Sequence, residues 1–240
     1  MRCVEDQADE VIDDDVYDGV SYLGPVPSND VDDPHVFDAE PHAFMVQIGA
    51  SRDPIKTHYH RVDQFQYVRS GSGRIVPHGI VAGSVHYTDA YTPYGPVAPG
   101  PEGLTYLTLR GTIDNGAYYM PESRADLKDR LATSVRPPRA RRNLSVELAS
   151  AGHAADWTDL VHDDDELRIA TRDVAAGVVA TTPVVGGGGA YVVVVSGSFD
   201  HGAERHATGS LIWLERGEST EVGGPDGGRL GLLQFPIPVR

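Results

Sequence analysis

Alternation of apolar and polar residues over short stretches is the dominant pattern of the chain. Glycines and prolines separate the runs, which include AFMVQIGA, QFQYVRSG and LTYLTLRG in the first half and AYVVVVSGS, SLIWLERG and LGLLQFPI in the second. A period of two places successive side chains on opposite faces of a strand. The pattern therefore predicts an all-β fold of many short strands joined by tight turns, in a sandwich or barrel.

One segment has helical rather than strand spacing. In SRADLKDRLA, Ser123 to Ala132, the leucines at 127 and 131 are four residues apart and would share one face of a helix. Ser123 is a suitable N-cap, and Asp126 stands at the capping-box position as a shorter substitute for glutamate. We expect a short helix here, after the first group of strands.

The two halves repeat one pattern without a gap. VRSGS ending at Ser72 matches VVSGS ending at Ser198, Gly83-Ser84 matches Gly209-Ser210, and LTYLTL from Leu104 matches LGLLQF from Leu230, all at an offset of 126 residues. Two similar β units are therefore predicted. We place an acidic arm at 1–20, the first barrel at 21–132, a linker at 133–143 and the second barrel at 144–240.

Charge and cysteine content narrow the choice of partners. The net charge of −15 argues against a nucleic-acid partner, because such affinity depends on Lys and Arg that neutralise phosphates. A single cysteine excludes an internal disulfide framework. We see no apolar run of the roughly 20 residues that span a bilayer. We expect a cytoplasmic protein without membrane contact, acting on a small molecule and self-associating as a homodimer through an exposed sheet edge.

The stretch HYHRVDQFQYVRSG, His58 to Gly71, combines strand alternation with an unusual polar face. One face carries imidazoles and amides, and the other carries mainly aromatic side chains. An inward polar face is unfavourable unless a metal, water or polar ligand satisfies it. Two histidines separated by one residue can present two neutral nitrogens to one metal ion. The polar positions that share this face are His58, His60, Gln64 and Gln66.

This stretch resembles the first motif of the cupin superfamily, HxHxxxExxxxxxG, with Gln64 in the glutamate position and Gly71 closing the turn. In the second motif, counting eleven residues from Gly83 reaches Tyr94, where cupins have a third histidine. The resemblance implies two tandem cupin-type β-barrels, each a double-stranded β-helix of jelly-roll type. It also implies a divalent metal ion, Fe foremost and otherwise Mn, Ni, Cu or Zn.

The resemblance and the residue types together suggest roles for particular residues. Catalytic roles fall to Tyr94 and Gln64, and substrate contacts to Gln66, Tyr106 and Arg110. Arg110 could equally pair with a neighbouring carboxylate. The candidate metal ligands are His58, His60, Gln64 and His86, although His86 could instead be a core or surface histidine. Glutamine lacks the charge of glutamate and should weaken the metal site, whereas tyrosine is a reluctant ligand and could act as an acid or base.

The second copy lacks these polar residues. The positions equivalent to His58, His60, Gln64 and Tyr94 are Val184, Gly186, Ala190 and Thr220. We predict that this degenerate barrel supports the first one. Two further histidines, His201 and His206, lie in the loop-like stretch FDHGAERHATG and are expected to be solvated.

Three functions remain open from sequence. The first is a metal-dependent enzyme acting on a small organic molecule, either as an oxygenase or as a Lewis-acid isomerase or lyase. The second is a metal-free acid/base cupin, akin to the sugar epimerases of the superfamily, with a histidine as base and Tyr94 as acid. The third is a non-catalytic cupin that binds a small molecule. The fold alone does not select among them.

Overall fold

The computed structural model describes residues 2–4, 11–13, 18–24, 40–114, 116–133 and 141–238. These residues form strands and one helix, which confirms the all-β prediction. In chain order the elements are β1 (Arg2–Val4), β2 (Val11–Asp13), β3 (Asp18–Leu23), β4 (His42–Ile48), β5 (His58–Tyr59), β6 (Gln64–Ile75), β7 (His78–Val81), β8 (Ser84–Thr88), β9 (Val97–Arg110), β10 (Tyr118–Tyr119), α1 (Arg124–Thr133), β11 (Asn143–Glu147), β12 (Thr158–His162), β13 (Arg168–Val174), β14 (Val178–Thr181), β15 (Ala190–His201), β16 (Glu204–Ala207), β17 (Leu211–Leu214), β18 (Glu221–Gly224) and β19 (Gly228–Gln234).

The chain divides into two compact units. The N-terminal unit is Ala8–Val146, and the C-terminal unit combines Met1–Gln7 with Glu147–Arg240. The first contains a sheet of order β11-β8-β6-β9-β4-β3-β2 with β7 beside β6, and a separate β10-β5 pair. The second contains a sheet of order β1-β17-β15-β19-β13-β12, to which β14, β16 and β18 attach. The predicted limits of arm and linker stay predictions, and residues 134–140 lie outside the described residues.

The repeat of 126 residues is visible in the strands. β6 and β15 begin at residues 64 and 190 with 12 residues each, and β7 and β16 begin at residues 78 and 204 with four residues each. Gly71 and Gly197, at equivalent positions, both have positive φ angles, of 76° and 83°. A β-carbon at either position would collide with a facing backbone carbonyl, so both copies require glycine there.

Each unit has its own apolar core. In the N-terminal unit the core includes Ile48, Val68, Ile75, Val97 and Leu104, all almost fully buried. In the C-terminal unit it includes inward residues of β13, β15, β17 and β19. His206 of β16 is only 1% exposed and lies opposite Phe199, so its predicted solvation is wrong. His201, in contrast, is partly buried and lies within hydrogen-bond distance of Thr220.

The predicted helix is present one residue later than expected, as α1. Leu127 packs it against Tyr59 and Tyr118. The predicted capping-box role of Asp126 is wrong, because its carboxylate accepts the Tyr59 hydroxyl at 2.6 Å and pairs with Arg130 at 2.8 Å. Among the described residues, no helix has the length and apolar character needed to cross a membrane.

Candidate functional site

Strand pairing in the N-terminal unit brings the predicted site residues together. β6 and β9 pair so that Gln64 faces Arg110, Gln66 faces Thr108 and Val68 faces Tyr106. The backbone of His58 forms a bridge with that of Tyr94. Gln64 and Arg110, 46 positions apart in sequence, thus meet at one end of the sheet.

A small cavity of about 60 Å³ lies among these side chains. Six of the predicted site residues line the cavity. Gln64 is not in the lining but donates a hydrogen bond to Tyr94, which is. His86 is also outside the lining. The remaining wall is mostly apolar. The lining residues are Phe44, Val46, Ile55, His58, His60, Gln66, Tyr94, Tyr106, Thr108, Arg110, Ala117 and Tyr119.

One directed chain of hydrogen bonds runs along the cavity. His58 Nδ1 lies 2.7 Å from the Lys56 carbonyl, so the network assigns the proton to Nδ1 and leaves Nε2 as an acceptor. The Tyr94 hydroxyl therefore donates to His58 Nε2 at 2.8 Å and accepts from Gln64 Nε2 at 2.7 Å. Gln64 Oε1 in turn accepts from Arg110 Nε at 3.2 Å and Nη2 at 3.1 Å. Each group has a defined donor or acceptor role.

Burial keeps both ends of the Tyr94–His58 pair neutral. Desolvation, reinforced by the neighbouring His60, lowers the pKa of His58 to about 3. Desolvation raises the pKa of the Tyr94 hydroxyl well above its usual value, and the nearby Arg110 and Gln64 only partly oppose this. At neutral pH the tyrosine therefore holds its proton and can donate it.

His60 belongs to a second polar group, with Asp114 and Arg110. Its Nδ1 lies 3.2 Å from Asp114 Oδ2, which also accepts the Arg61 amide at 3.1 Å. Arg110 Nη2 lies 3.1 Å from Nδ1 and 3.3 Å from Nε2 of His60, and Nη1 donates to the Asp114 carbonyl. With its Nδ1 proton directed at Asp114, His60 presents Nε2 as an acceptor on the side of Arg110. The carboxylate thus orients the imidazole, as it does in many acid–base pairs.

The charges of this group follow from its contacts. Desolvation lowers the pKa of His60, and the positive charge of Arg110 lowers it further, against the opposing effect of Asp114. Burial alone would raise the pKa of Asp114, but the His60 hydrogen bond and the Arg110 charge hold it below its usual value. The site therefore contains a neutral imidazole between a guanidinium and an ionised carboxylate. Asp114 Oδ1 is buried and has no hydrogen-bond partner among the described residues.

His86 lies apart from this group. It is fully buried, with Nδ1 2.9 Å from Gln66 Oε1 and Nε2 2.9 Å from Asn143 Oδ1. Both ring nitrogens are therefore used in joining β8 to β6 and to β11. The His86 ring centroid also lies 5.5 Å from that of Tyr94.

The donor atoms of the predicted ligands decide whether a divalent metal ion fits. His58 Nε2 is engaged with Tyr94, and Gln64 Oε1 and His60 lie against the Arg110 guanidinium. A second cation at that point would be repelled by the guanidinium. Within the described ranges, no three His, Cys, Asp or Glu side chains come together as a metal-binding group. The side chains in this arrangement do not fit a metal ion.

Asp114 is the site residue that sequence reasoning missed. It lies 54 positions from His60 in the loop after β9, and the cupin motifs have no position there. Thr108 was missed as well, although its place opposite Gln66 on alternating positions of β9 could have indicated it. The contact of Asp114 with His60 depends on the pairing of β9 with β6, so the sequence alone does not indicate it.

Comparison with solved structures shows that this is the fold of cupin-type β-barrel proteins. The chain is similar to a candidate dioxygenase from Nostoc punctiforme, with a TM-score of 0.61, 12% identity and coverage of 97% of this chain and 79% of that one. It is similar to the Escherichia coli pirin YhhW in complex with nickel(II), with a TM-score of 0.56, 13% identity and coverage of 95% and 96%. A variant of Bacillus subtilis oxalate decarboxylase gives a TM-score of 0.58 at 11% identity, covering 96% and 76%.

Sequence comparisons add no closer relative. No protein-family model matches the chain, and no curated protein matches it. At 10–13% identity the structural likeness shows the fold alone. The function must therefore be inferred from the side chains of the site.

Proposed function

We propose that this protein is an acid–base enzyme that moves a proton on a small polar molecule, without a metal ion, in the cavity of the N-terminal unit. The observation that carries the proposal is the Asp114–His60 pair beside Tyr94, with His60 and Tyr94 both in the cavity lining. The His60 and Tyr94 rings have centroids 6.2 Å apart, and both line the cavity. A base and an acid that both reach one bound molecule are what a proton shift requires.

His60 Nε2 accepts the proton from a carbon next to a carbonyl group. Asp114 holds the imidazole in the tautomer that leaves Nε2 as acceptor and stabilises the imidazolium that forms. The Tyr94 hydroxyl turns from His58 Nε2 and donates its hydrogen bond to the carbonyl oxygen as negative charge develops there, and Arg110 stabilises the same charge. Return of the proton from His60 to the neighbouring carbon completes an isomerisation with no net change in redox state.

A metal-dependent function is the second candidate, and the fold comparison favours it. The solved structures of similar fold include a candidate dioxygenase, a nickel-bound pirin and an oxalate decarboxylase. In that case His58, His60 and Gln64 would hold Fe or another divalent ion, after Tyr94 and Arg110 had moved away from their hydrogen bonds. A cupin that binds a small molecule without turnover is the third candidate, and it predicts no exchange of substrate protons.

Proton exchange in D2O separates these candidates. A panel of small aldehydes, ketones and hydroxy acids is incubated with the protein, and loss of the proton next to the carbonyl or hydroxyl carbon is followed by NMR. We expect exchange by the chelator-treated wild type and a drop of about 10²–10⁴-fold in His60→Gln. His153→Gln is the matched control, because His153 also contacts an aspartate, Asp173, at 2.9 Å, but on an exposed surface of the C-terminal unit.

The metal dependence of exchange and the metal content of the protein separate the metal-free proposal from the metal-dependent candidate. Exchange that disappears with chelation and returns on addition of Fe or Ni contradicts the proposal and supports the second candidate. Elemental analysis of the purified, untagged wild type and of a His58→Ala/His60→Ala variant shows whether any bound metal depends on these residues.

A further inference from the structure

The lining of the cavity includes a buried, positively charged side chain. Arg110 is 3% exposed, ends β9 and contributes to the cavity lining. Burying a guanidinium is unfavourable unless its donors are satisfied, and here Gln64, the Asp114 carbonyl and His60 surround it. Its planar donor fork matches the oxygens of a carboxylate or a phosphate.

The guanidinium lies where the donor atoms of two predicted metal ligands converge. Arg110 Nη2 is 3.1 Å from Gln64 Oε1 and within 3.3 Å of either ring nitrogen of His60. The fixed positive charge that a metal ion would supply to a cupin site is thus supplied by a side chain. A ligand can displace the contact of Arg110 with His60 without freeing the imidazole, because Asp114 also holds this ring.

The cavity limits the size and shape of a ligand. One water needs about 10–15 Å³ of such volume. A cavity of about 60 Å³ therefore accommodates about four to six non-hydrogen atoms. Arg110, Gln66 and Thr108 contribute polar groups to the lining. Phe44, Val46, Ile55 and Tyr106 contribute apolar surface beside them, with the Phe44 ring centroid 5.3 Å from the Arg110 guanidinium carbon, so a ligand with one charged end and a short carbon tail meets both kinds of contact.

We propose that the cavity binds a short monocarboxylate, with the Arg110 guanidinium as the resident cation in place of a metal ion. The inference rests on the proposed function in using the same cavity, and it names the substrate class. A carboxylate oxygen replaces His60 as a partner of Arg110 Nη2. The carbon next to the carboxylate then lies on the His60 side of the guanidinium, where the base acts.

Isosteric pairs of probes test the charge requirement. Acetate against acetamide, and propionate against propionamide, have the same size and differ in charge. We expect NMR titration at neutral pH to give carboxylate dissociation constants lower than those of the amides by about tenfold or more. Arg110→Gln should remove this preference. Arg52→Gln should keep it, because Arg52 is a surface residue that contacts Asp18 at 3.6 Å in the same unit.

The outcomes separate the two proposals. Equal binding of acid and amide overturns the carboxylate class but leaves acid–base chemistry on a neutral molecule intact. No binding of any probe overturns the carboxylate class as well. Stoichiometric Ni²⁺ in wild type under equilibrium dialysis, lost in His58→Ala/His60→Ala, overturns both proposals. If Arg110→Gln does not fold, the acid–amide comparison in wild type still decides the question.

Discussion

Acidification should destabilise this protein through His86, and the effect can be isolated. His86 is fully buried in β8 between Gln66 and Asn143. Desolvation lowers its pKa from the ordinary 6.5 to about 4, although the Asn143 hydrogen bond opposes the shift and nearby His78 adds to it. The folded protein therefore keeps His86 neutral at pH values where the unfolded chain protonates it.

The size and sign of the effect follow from this difference. Below about pH 6.5 the unfolded state binds more protons, so the free energy of unfolding falls by about 1.4 kcal/mol per pH unit. The fall begins near the unfolded pKa and ends near the folded pKa of about 4. At about pH 5 the loss from this one residue is about 2 kcal/mol.

Urea denaturation of wild type and His86→Gln measures this loss. Glutamine cannot titrate but keeps a donor and an acceptor, so the variant should be less stable than wild type by about 1–3 kcal/mol near neutral pH. Between about pH 7.5 and pH 5 that gap should shrink by about 2 kcal/mol. Carboxylates titrate in both proteins and cancel in the difference. A gap that does not change with pH would refute a buried, neutral His86.

Two further substitutions test the contacts described above. Tyr94→Phe removes the donor to His58 Nε2 and the acceptor of Gln64 Nε2. We therefore expect the free energy of unfolding, measured by urea denaturation, to fall by about 2–4 kcal/mol, and substrate proton exchange to be lost. Unchanged stability would contradict the hydrogen-bond chain from His58 through Tyr94 to Gln64. Asp89→Ala removes the carboxylate that accepts hydrogen bonds from the Arg142 amide at 2.8 Å and from its Nη2 at 2.8 Å. We expect the free energy of unfolding to fall by about 3 kcal/mol. A fall below about 1 kcal/mol would show that this ion pair behaves like an exposed one.

Much of the fold was readable from local pattern. The offset of 126 residues predicted two similar β units, and β6–β7 and β15–β16 begin at equivalent positions. Period-two alternation from Gln64 onward predicted an inward polar face, and Gln64 and Gln66 are each 1% exposed. Such features depend on neighbours along the chain, which the sequence shows directly.

The environment of each polar group was decided only by the tertiary structure. The sequence by itself determined that His58 and His60 would be presented as a pair, but pairing of β6 with β9 placed Arg110 opposite Gln64, and the following loop placed Asp114 against His60. The register between distant strands depends on the packing of a whole face, which no local pattern contains. A motif that predicts a metal site thus became a site with its own buried cation.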